Sequence, residues 1–148
     1  MWPCYIRQDE YMKKAAPDLT DVLKALADPT RMRILSLLGG DEVCVCHIYT
    51  ALRVPQPTAS RHLAWLKKAG MVEDRRLGLW KHYRLRRLDD AAVQAVVDAA
   101  IRAAGRSSHV SRDCCRLAVA VKKIPSPRPV VLGAPVRLAV NASTTHPA

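Results

Sequence analysis

The feature that most limits the fold of this chain is a helical pattern that stops at two prolines and restarts at once, in VCVCHIYTALRVPQPTASRHL. Residues Val43–Leu52 are predicted to form a short helix that ends at VPQP, because proline cannot continue a helix interior. Pro57 suits the first position of a new helix, which is predicted to run to Ala69 and stop at Gly70. Two short helices must therefore meet at a tight turn.

The second of these helices has an apolar face and a basic face. At 100° per residue, one face holds Ala59, Leu63 and Leu66. The other face holds Thr58, Arg61, Trp65 and Lys68. Two helices at a tight turn, the second basic on its outer side, form the helix-turn-helix arrangement that puts side chains into the DNA major groove.

Two more helices are predicted before this unit. The first has helical spacing of its apolar residues after a possible cap at Asp18, with Leu19, Val22, Leu23 and Leu26 on one face. The second begins with Asp28 at the N-cap and Pro29 in the first turn, and it ends at Gly39-Gly40.

A strand pair and a last helix are predicted after it. The sequence MVEDRRLGLWKHYRL changes period around a turn at Leu77-Gly78, which predicts a hairpin, or wing, whose tip carries Arg75, Arg76, Lys81 and His82. Helical spacing returns over Leu88–Ala104. Together with the Leu19–Ala27 helix it is expected to form a homodimer, because its small apolar stripe has no other partner in so small a domain. The stripe consists of Val96, Val97, Ala100 and Ile101.

The length of 148 residues suits one domain with extensions. We expect an N-terminal extension at 1–17, in which Met12 resembles a natural start, and a winged helix-turn-helix domain at 18–104. Residues 105–148 are expected to be a C-terminal tail that carries a Cys pair, holds one or two helical turns at most, and is otherwise disordered.

Positive charge is concentrated in one central block and in the tail. Residues 53–87 hold ten basic and two acidic side chains, a net charge of +8, and residues 105–148 hold seven and one, a net charge of +6. The remaining blocks are slightly negative, and the whole chain carries +11. This distribution indicates a surface that binds phosphates.

The sequence contains no apolar run long enough for a membrane span and no apolar core of a secretion signal. The five cysteines are an odd number, which favours reduced thiols over a disulfide framework. We therefore expect a cytoplasmic protein.

Three stretches together resemble the arsenic-responsive repressors of the ArsR/SmtB family, over about residues 19–104: LKALADPTRMRILSLL, VCVC and QPTASRHLAWLKKAGMVEDRRLGLWKHYRL. The resemblance implies a dimeric winged helix-turn-helix protein, mainly α with a small β-hairpin. It implies a homodimer that occupies its own double-stranded operator DNA, is not an enzyme, and leaves when trivalent arsenic binds.

The chemistry of Cys44 and Cys46 agrees with that resemblance. Thiolates are soft donors, and two close together chelate a thiophilic ion such as As(III), Sb(III) or a methylated trivalent arsenical. On a regular helix the two side chains would point about 200° apart, so we expect ligand binding to unwind the first helical turn. The helix N-terminus is expected to lower the thiol pKa.

A third ligand is less clear from the sequence. Relatives of this type usually have a third cysteine where this chain has Tyr49. The candidates to complete the site are His47, a poorer arsenic ligand, and the pair Cys114-Cys115. Cys4 is expected to have no role. A zinc site on the last helix is not expected, because that helix has no histidine before His109.

The resemblance and the helical wheel agree on the residues at the DNA. Those near bases or phosphates are Gln56, Thr58, Ser60, Arg61 and His62. Those on the backbone or in the minor groove are Lys68, Arg76, Lys81 and His82. Two alternatives stay open: a winged-helix repressor that senses thiol oxidation, and a thiol-dependent arsenic-handling enzyme, although the chain lacks a Cys-x5-Arg phosphate loop.

Overall fold

The computed structural model of the protein describes residues 17–39 and 42–127. The expectations for Cys4, Met12, Gly40 and the chain after residue 127 lie outside these residues. In chain order the elements are α1 Leu19–Leu26, α2 Pro29–Leu37, β1 Val43–Cys44, α3 Val45–Leu52, α4 Gln56–Lys68, β2 Val72–Leu77, β3 Trp80–Leu85, α5 Ala91–Gly105 and α6 Ser108–Lys123. Within the described part, we find no helix with the length and hydropathy that crossing a membrane requires.

The predicted helix-turn-helix is confirmed in α3 and α4. Arg53 ends α3 in the left-handed conformation, with φ of 56°, and α4 begins at Gln56, one residue before the predicted start. The apolar face of α4 is buried as predicted and joins the core through Ala59, Leu63 and Leu66. The core continues into α2 through Ile34 and Leu35, so α4, the second helix of the helix-turn-helix and hereafter the reading helix, packs on α2.

The wing is also confirmed, and it contains a third strand. β2 and β3 pair antiparallel from Val72↔Leu85 to Leu77↔Trp80, and the sheet order is β1-β3-β2. The turn is Gly78-Leu79, one residue later than predicted. Gly78, the first residue of the turn, has φ of 61°, a left-handed conformation that glycine adopts more readily than residues with a side chain.

The predicted start of the third helix at Val43 is wrong. Val43 and Cys44 form β1 and pair with Tyr83 and His82 of β3, so α3 begins only at Val45. The backbone of a residue that is bound into a sheet ladder cannot also form helical hydrogen bonds. This two-residue strand ties the start of α3 to the wing.

The predicted caps and the dimer stripe are partly corrected. Asp28 caps α2 by accepting from the Arg31 amide at 2.8 Å, whereas the Asp18 side chain makes no cap to α1. α5 starts at Ala91, capped by Asp90. Val97 and Ile101 of the stripe on α5 are already buried by other residues of the same chain, so this part of the stripe does not need a second copy to cover it.

Some apolar side chains on α1 and α5 nevertheless stay exposed. They are Leu19 at 43%, Leu23 at 49% and Val96 at 38%. α1 and α5 contact each other, so these side chains lie on neighbouring elements. Val96 belongs to the predicted stripe, whereas Leu19 and Leu23 belong to the first of the two helices that we expect to form the homodimer.

Helix α6 is longer than the one or two turns expected after Gly105. It spans 16 residues and packs on α2 and α3. Its buried face contains Asp113, which is fully enclosed and accepts from Arg33 Nε at 2.6 Å and Nη2 at 2.9 Å. The same guanidinium donates to the Leu52 carbonyl at 3.1 Å, so this ion pair fastens α6 to α2 and to the end of α3.

Replacing Asp113 by alanine is expected to lower the free energy of unfolding by about 3 kcal/mol, because it leaves the Arg33 charge without its buried partner. Urea denaturation followed by circular dichroism measures the change. Arg116→Ala is the matched control, since Arg116 lies farther from Asp113, at 3.4 Å, and should cost less than about 1 kcal/mol. Equal losses for the two variants would contradict this account of the anchor.

Candidate functional site

The side chains of Cys44 and Cys46 lie next to each other at the start of α3. Cys44 is the last residue of β1 and the N-cap of α3, with an extended backbone at φ −65° and ψ 141°. Cys46 lies in the first turn of α3, and its thiol donates to the Cys44 sulfur at 2.8 Å. The expected 200° separation is wrong because only Cys46 is helical. A ligand can therefore reach both sulfurs without unwinding the helix.

Burial has the largest effect on the acidity of Cys46. Burial, followed by the hydrogen bond to Cys44, raises the pKa of the Cys46 thiol to about 12. The backbone N–H groups at the start of the helix act in the opposite direction but are outweighed. The expectation of a lowered thiol pKa is therefore wrong for Cys46. Its free thiol is protonated at neutral pH and loses its proton when a ligand binds.

His47 is the candidate third ligand that the structure places beside the thiols. One of its ring nitrogens and the two sulfurs lie within 4.8 Å of one another. The ring is completely buried, and its Nε2 is 2.8 Å from the carbonyl oxygen of Ile124, just after α6. Among the residues that the structure describes, these three form the group whose donor atoms lie close enough together to hold a metal ion.

The second cysteine pair lies elsewhere. Cys114 and Cys115 are exposed on α6. They follow Asp113, which is linked through Arg33 to the end of α3, whereas Ile124, just beyond the other end of α6, contacts His47 near the start of α3. The pair is therefore about 15 Å along the helix from Ile124. Within one chain the structure does not bring these thiols to Cys44 and Cys46.

The outer face of α4 has the expected polar and basic character. Gln56, Arg61 and Lys68 are exposed there, and Thr58 and Ser60 are half-buried. Trp65, 45% exposed, lies beneath the Arg31 guanidinium, 5.1 Å from its ring centre. On the wing, Arg76 is exposed. This surface can meet a nucleic acid without rearrangement of the core.

The other predicted DNA residues have partners within the protein. His62 Nδ1 is 3.6 Å from Asp28, and Lys81 Nζ is 3.2 Å from Asp74 and lies over the Tyr83 ring. His82 is only 1% exposed, and its Nε2 is 2.8 Å from the Ser126 hydroxyl. The expectation that His82 reaches the DNA backbone is corrected, because its side chain points into the protein rather than outward with the wing.

Sequence reasoning missed Asp74, which joins the wing to the reading helix. Its carboxylate binds Lys67 of α4 and Lys81 of β3. The hydrogen bond from Lys67 is the largest cause of a lowered pKa of Asp74, with Lys81 adding to it. The sequence signal was the pair Glu73-Asp74, the two acidic residues of the basic block 53–87, which entered the prediction only through the charge balance.

Comparison with known proteins defines the class. The chain is similar in structure to HlyU from Vibrio cholerae N16961, with a TM-score of 0.50, 26% sequence identity, and coverage of 66% of this chain and 97% of that one. Fold and basic surface together define a DNA-binding transcriptional regulator of the winged helix-turn-helix class.

The sequence comparisons identify the family. Residues 28–74 match the model described as bacterial regulatory protein, arsR family. The chain is 41% identical over 111 residues to the arsenic resistance transcriptional regulator ArsR1 of Pseudomonas putida, covering 72% of this chain and 82% of the relative. It is 45% identical over 82 residues to the arsenical resistance operon repressor of Escherichia coli K12, covering 55% and 70%. The chain belongs to the ArsR family of regulators, which sets aside the enzyme alternative.

Replacing Asp74 by asparagine is expected to lower the free energy of unfolding by about 1 kcal/mol at pH 6. Because folding lowers the pKa of Asp74, its contribution is present above the unfolded pKa of about 3.9 and is lost as the pH falls through the folded value. The difference between wild type and D74N should therefore shrink below about pH 4. Urea titrations at several pH values measure it.

The matched control is Glu73→Gln, because Glu73 pairs with Arg84 on the exposed side of the wing. Its effect should be smaller at pH 6. A D74N difference that stays constant between pH 6 and pH 3 would show that Asp74 does not act through its charge.

Proposed function

We propose that this chain is an arsenic-responsive transcriptional repressor that acts in the cytoplasm, holds operator DNA as a homodimer, and leaves it when Cys44 and Cys46 bind trivalent arsenic. The observation that carries the proposal is the pair of sulfurs 2.8 Å apart at the junction of β1 and α3. Similarity to repressors named for arsenic resistance supports the same conclusion.

Two thiols supply all the sulfur ligands that some arsenicals need, but not those of others. A monomethylated trivalent arsenical exchanges two hydroxides for two cysteine sulfurs, releases two waters, and gives a neutral dithiolate that a buried site accommodates. Inorganic As(III) or Sb(III) bound to the same pair keeps one hydroxide or recruits another thiol. Cys114 and Cys115 form, in this proposal, a second site whose thiols can also bind the metalloid.

The DNA contacts are proposed for the outer face of α4 and for the wing. Gln56, Thr58, Ser60, Arg61 and His62 approach bases or phosphates, and Lys68, Arg76 and Lys81 approach the backbone. The homodimer is proposed to form through α1 and α5, whose exposed Leu19, Leu23 and Val96 supply an apolar contact. Two reading helices then face successive turns of the operator.

A second candidate function is sensing of oxidation by the same two cysteines. The observation that favours it is again the short sulfur separation, because an oxidant could join Cys44 and Cys46 without moving the backbone far. Mass spectrometry after mild peroxide distinguishes the two, since a disulfide lowers the mass by two hydrogens. Operator release by peroxide but not by an arsenical would favour this alternative.

The Cys44→Ser, Cys46→Ser variant is expected to bind the operator normally and to stay bound when arsenite or a monomethyl arsenical is added. Fluorescence anisotropy of labelled operator DNA measures release. Cys114→Ser, Cys115→Ser is the matched control and should be released like wild type by the monomethyl arsenical, which needs only two thiols. Release of the first variant but not of the second would make α6 the inducer site.

Arg61→Ala is expected to weaken operator binding by about 1–3 kcal/mol, more than it weakens binding to random DNA, if its guanidinium reads a guanine edge. Arg76→Ala should weaken binding to both DNAs alike and reduce the salt dependence by about one phosphate contact. Anisotropy titrations at several salt concentrations compare them. Identical profiles for the two variants would place base reading elsewhere.

A further inference from the structure

The guanidinium of Arg31, the third residue of α2, is held by the end of α1. Its Nε donates to the carbonyl oxygen of Ala25 at 2.7 Å, and its Nη2 donates to the carbonyl oxygen of Lys24 at 2.8 Å. Both carbonyls belong to the last turn of α1, where carbonyl oxygens lack partners within the helix. The Arg31 side chain therefore joins the start of α2 to the end of α1 and takes its position from both.

The same guanidinium also contacts the reading helix. Its Cζ lies 5.1 Å from the centre of the Trp65 ring, which is a cation–π distance. The Arg31 side chain is only 14% exposed, and such a contact is stronger when the cation is partly withdrawn from water. Because the hydrogen bonds to α1 fix the guanidinium, Trp65 meets a cation whose position α1 determines.

A second contact runs beside the first. His62 lies one helical turn before Trp65 on α4, and its Nδ1 is 3.6 Å from Asp28, the N-cap of α2. Asp28 and Arg31 are also three residues apart, and side chains at that spacing are neighbours on one face of a helix. Two side chains at the start of α2 thus meet two on the reading helix. We call these four residues, Asp28, Arg31, His62 and Trp65, the clasp.

We propose that the clasp sets the orientation of the reading helix relative to the dimer interface, with Trp65 as its main positioning residue. α1 carries the exposed Leu19 and Leu23, which the proposed homodimer buries. A cation that is bonded to α1 and stacked on α4 links that interface to the helix that reads DNA. The inference rests on the proposed function for the homodimer and for the role of α4.

The relative orientation of two reading helices matters only when both bind at once. After one half-site is occupied, the second binding step is intramolecular, and its effective concentration depends on how well the second helix is placed. One inserted base pair moves a half-site by about 3.4 Å along the duplex and by about 35° around it. Firmly held reading helices should discriminate between such spacings, whereas loosely held ones should tolerate them.

The test uses the full chain and an inverted-repeat duplex that the wild type selects from a random DNA pool. Its single half-site, and versions with one base pair added or removed between the half-sites, are compared by fluorescence anisotropy. Trp65→Leu keeps an apolar side chain but removes the aromatic face. It is expected to weaken full-site binding by about 5-fold and half-site binding by less than about 2-fold. It should also reduce the loss of affinity caused by a changed spacing.

Three further variants serve as controls. Trp65→Phe retains a ring face and should bind the full site within about 2-fold of wild type. Arg61→Ala is the matched control on the same helix, because loss of a proposed DNA contact should weaken half-site and full-site binding alike. Arg31→Gln removes the cation of the clasp, and adding Trp65→Leu to it should cause no further loss, since both changes remove one contact.

The proposal is overturned if Trp65→Leu weakens half-site and full-site binding equally, because the ring would then be a DNA contact. Unchanged full-site affinity and spacing preference in Trp65→Leu would also overturn it, as would a monomeric Trp65→Leu protein. Thermal unfolding and sedimentation verify that each variant is folded and dimeric. A wild type that forms no dimer, or selects no inverted repeat, would instead overturn the proposed function and this inference with it.

Discussion

The pairing of Val43 and Cys44 with β3 is the constraint on which the site depends. It holds two residues in an extended conformation, so α3 begins at Val45 and Cys44 becomes its N-cap. A residue in a strand and a residue in the first turn of a helix can direct their side chains to one point, which two helical residues at that spacing cannot. The strand therefore creates the thiol pair, and it also joins the pair to the wing through β3.

The second constraint is the attachment of α6. Asp113 binds Arg33 at one end of the helix, and the carbonyl of Ile124 meets His47 just beyond the other. α6 consequently lies along α3. On the inner side of the thiol site, His47 contacts the backbone of Ile124 instead of solvent. The depth of His47 follows from this cover, and burial is likewise the largest cause of the raised pKa of the neighbouring Cys46. The chemistry of the site thus depends on a helix that contributes no thiol to it.

Local signals predicted the parts of the fold that depend on local physics. Proline and glycine placed the ends of α4 to within a residue or two, and the spacing of Ala59, Leu63 and Leu66 identified its buried face. β1 could not be found this way, because a two-residue strand exists only through its distant partner β3. α6 was underestimated because its buried face carries a charged residue, Asp113, whose partner Arg33 lies 80 residues away. The prediction for His82 was wrong for the same reason. A basic hairpin suggests an exposed side chain, but the ring of His82 is hydrogen-bonded to the hydroxyl of Ser126, a distant residue that follows α6.

The same geometry determines where the movement caused by a ligand is directed. An ion that bridges the sulfurs must widen their 2.8 Å separation. Cys44 is held in a three-stranded sheet, whereas Cys46 belongs to a helix of only eight residues, so we expect the displacement to fall mainly on α3. α3 packs against α4 and is joined to it by a three-residue turn, which passes the shift to the reading helix. A ligand changes DNA occupancy only through a difference in its affinity for the free and bound forms. In the function that we propose, thiols whose positions are coupled to α4 provide that difference, whereas Cys114 and Cys115, exposed on α6, are one helix removed from it.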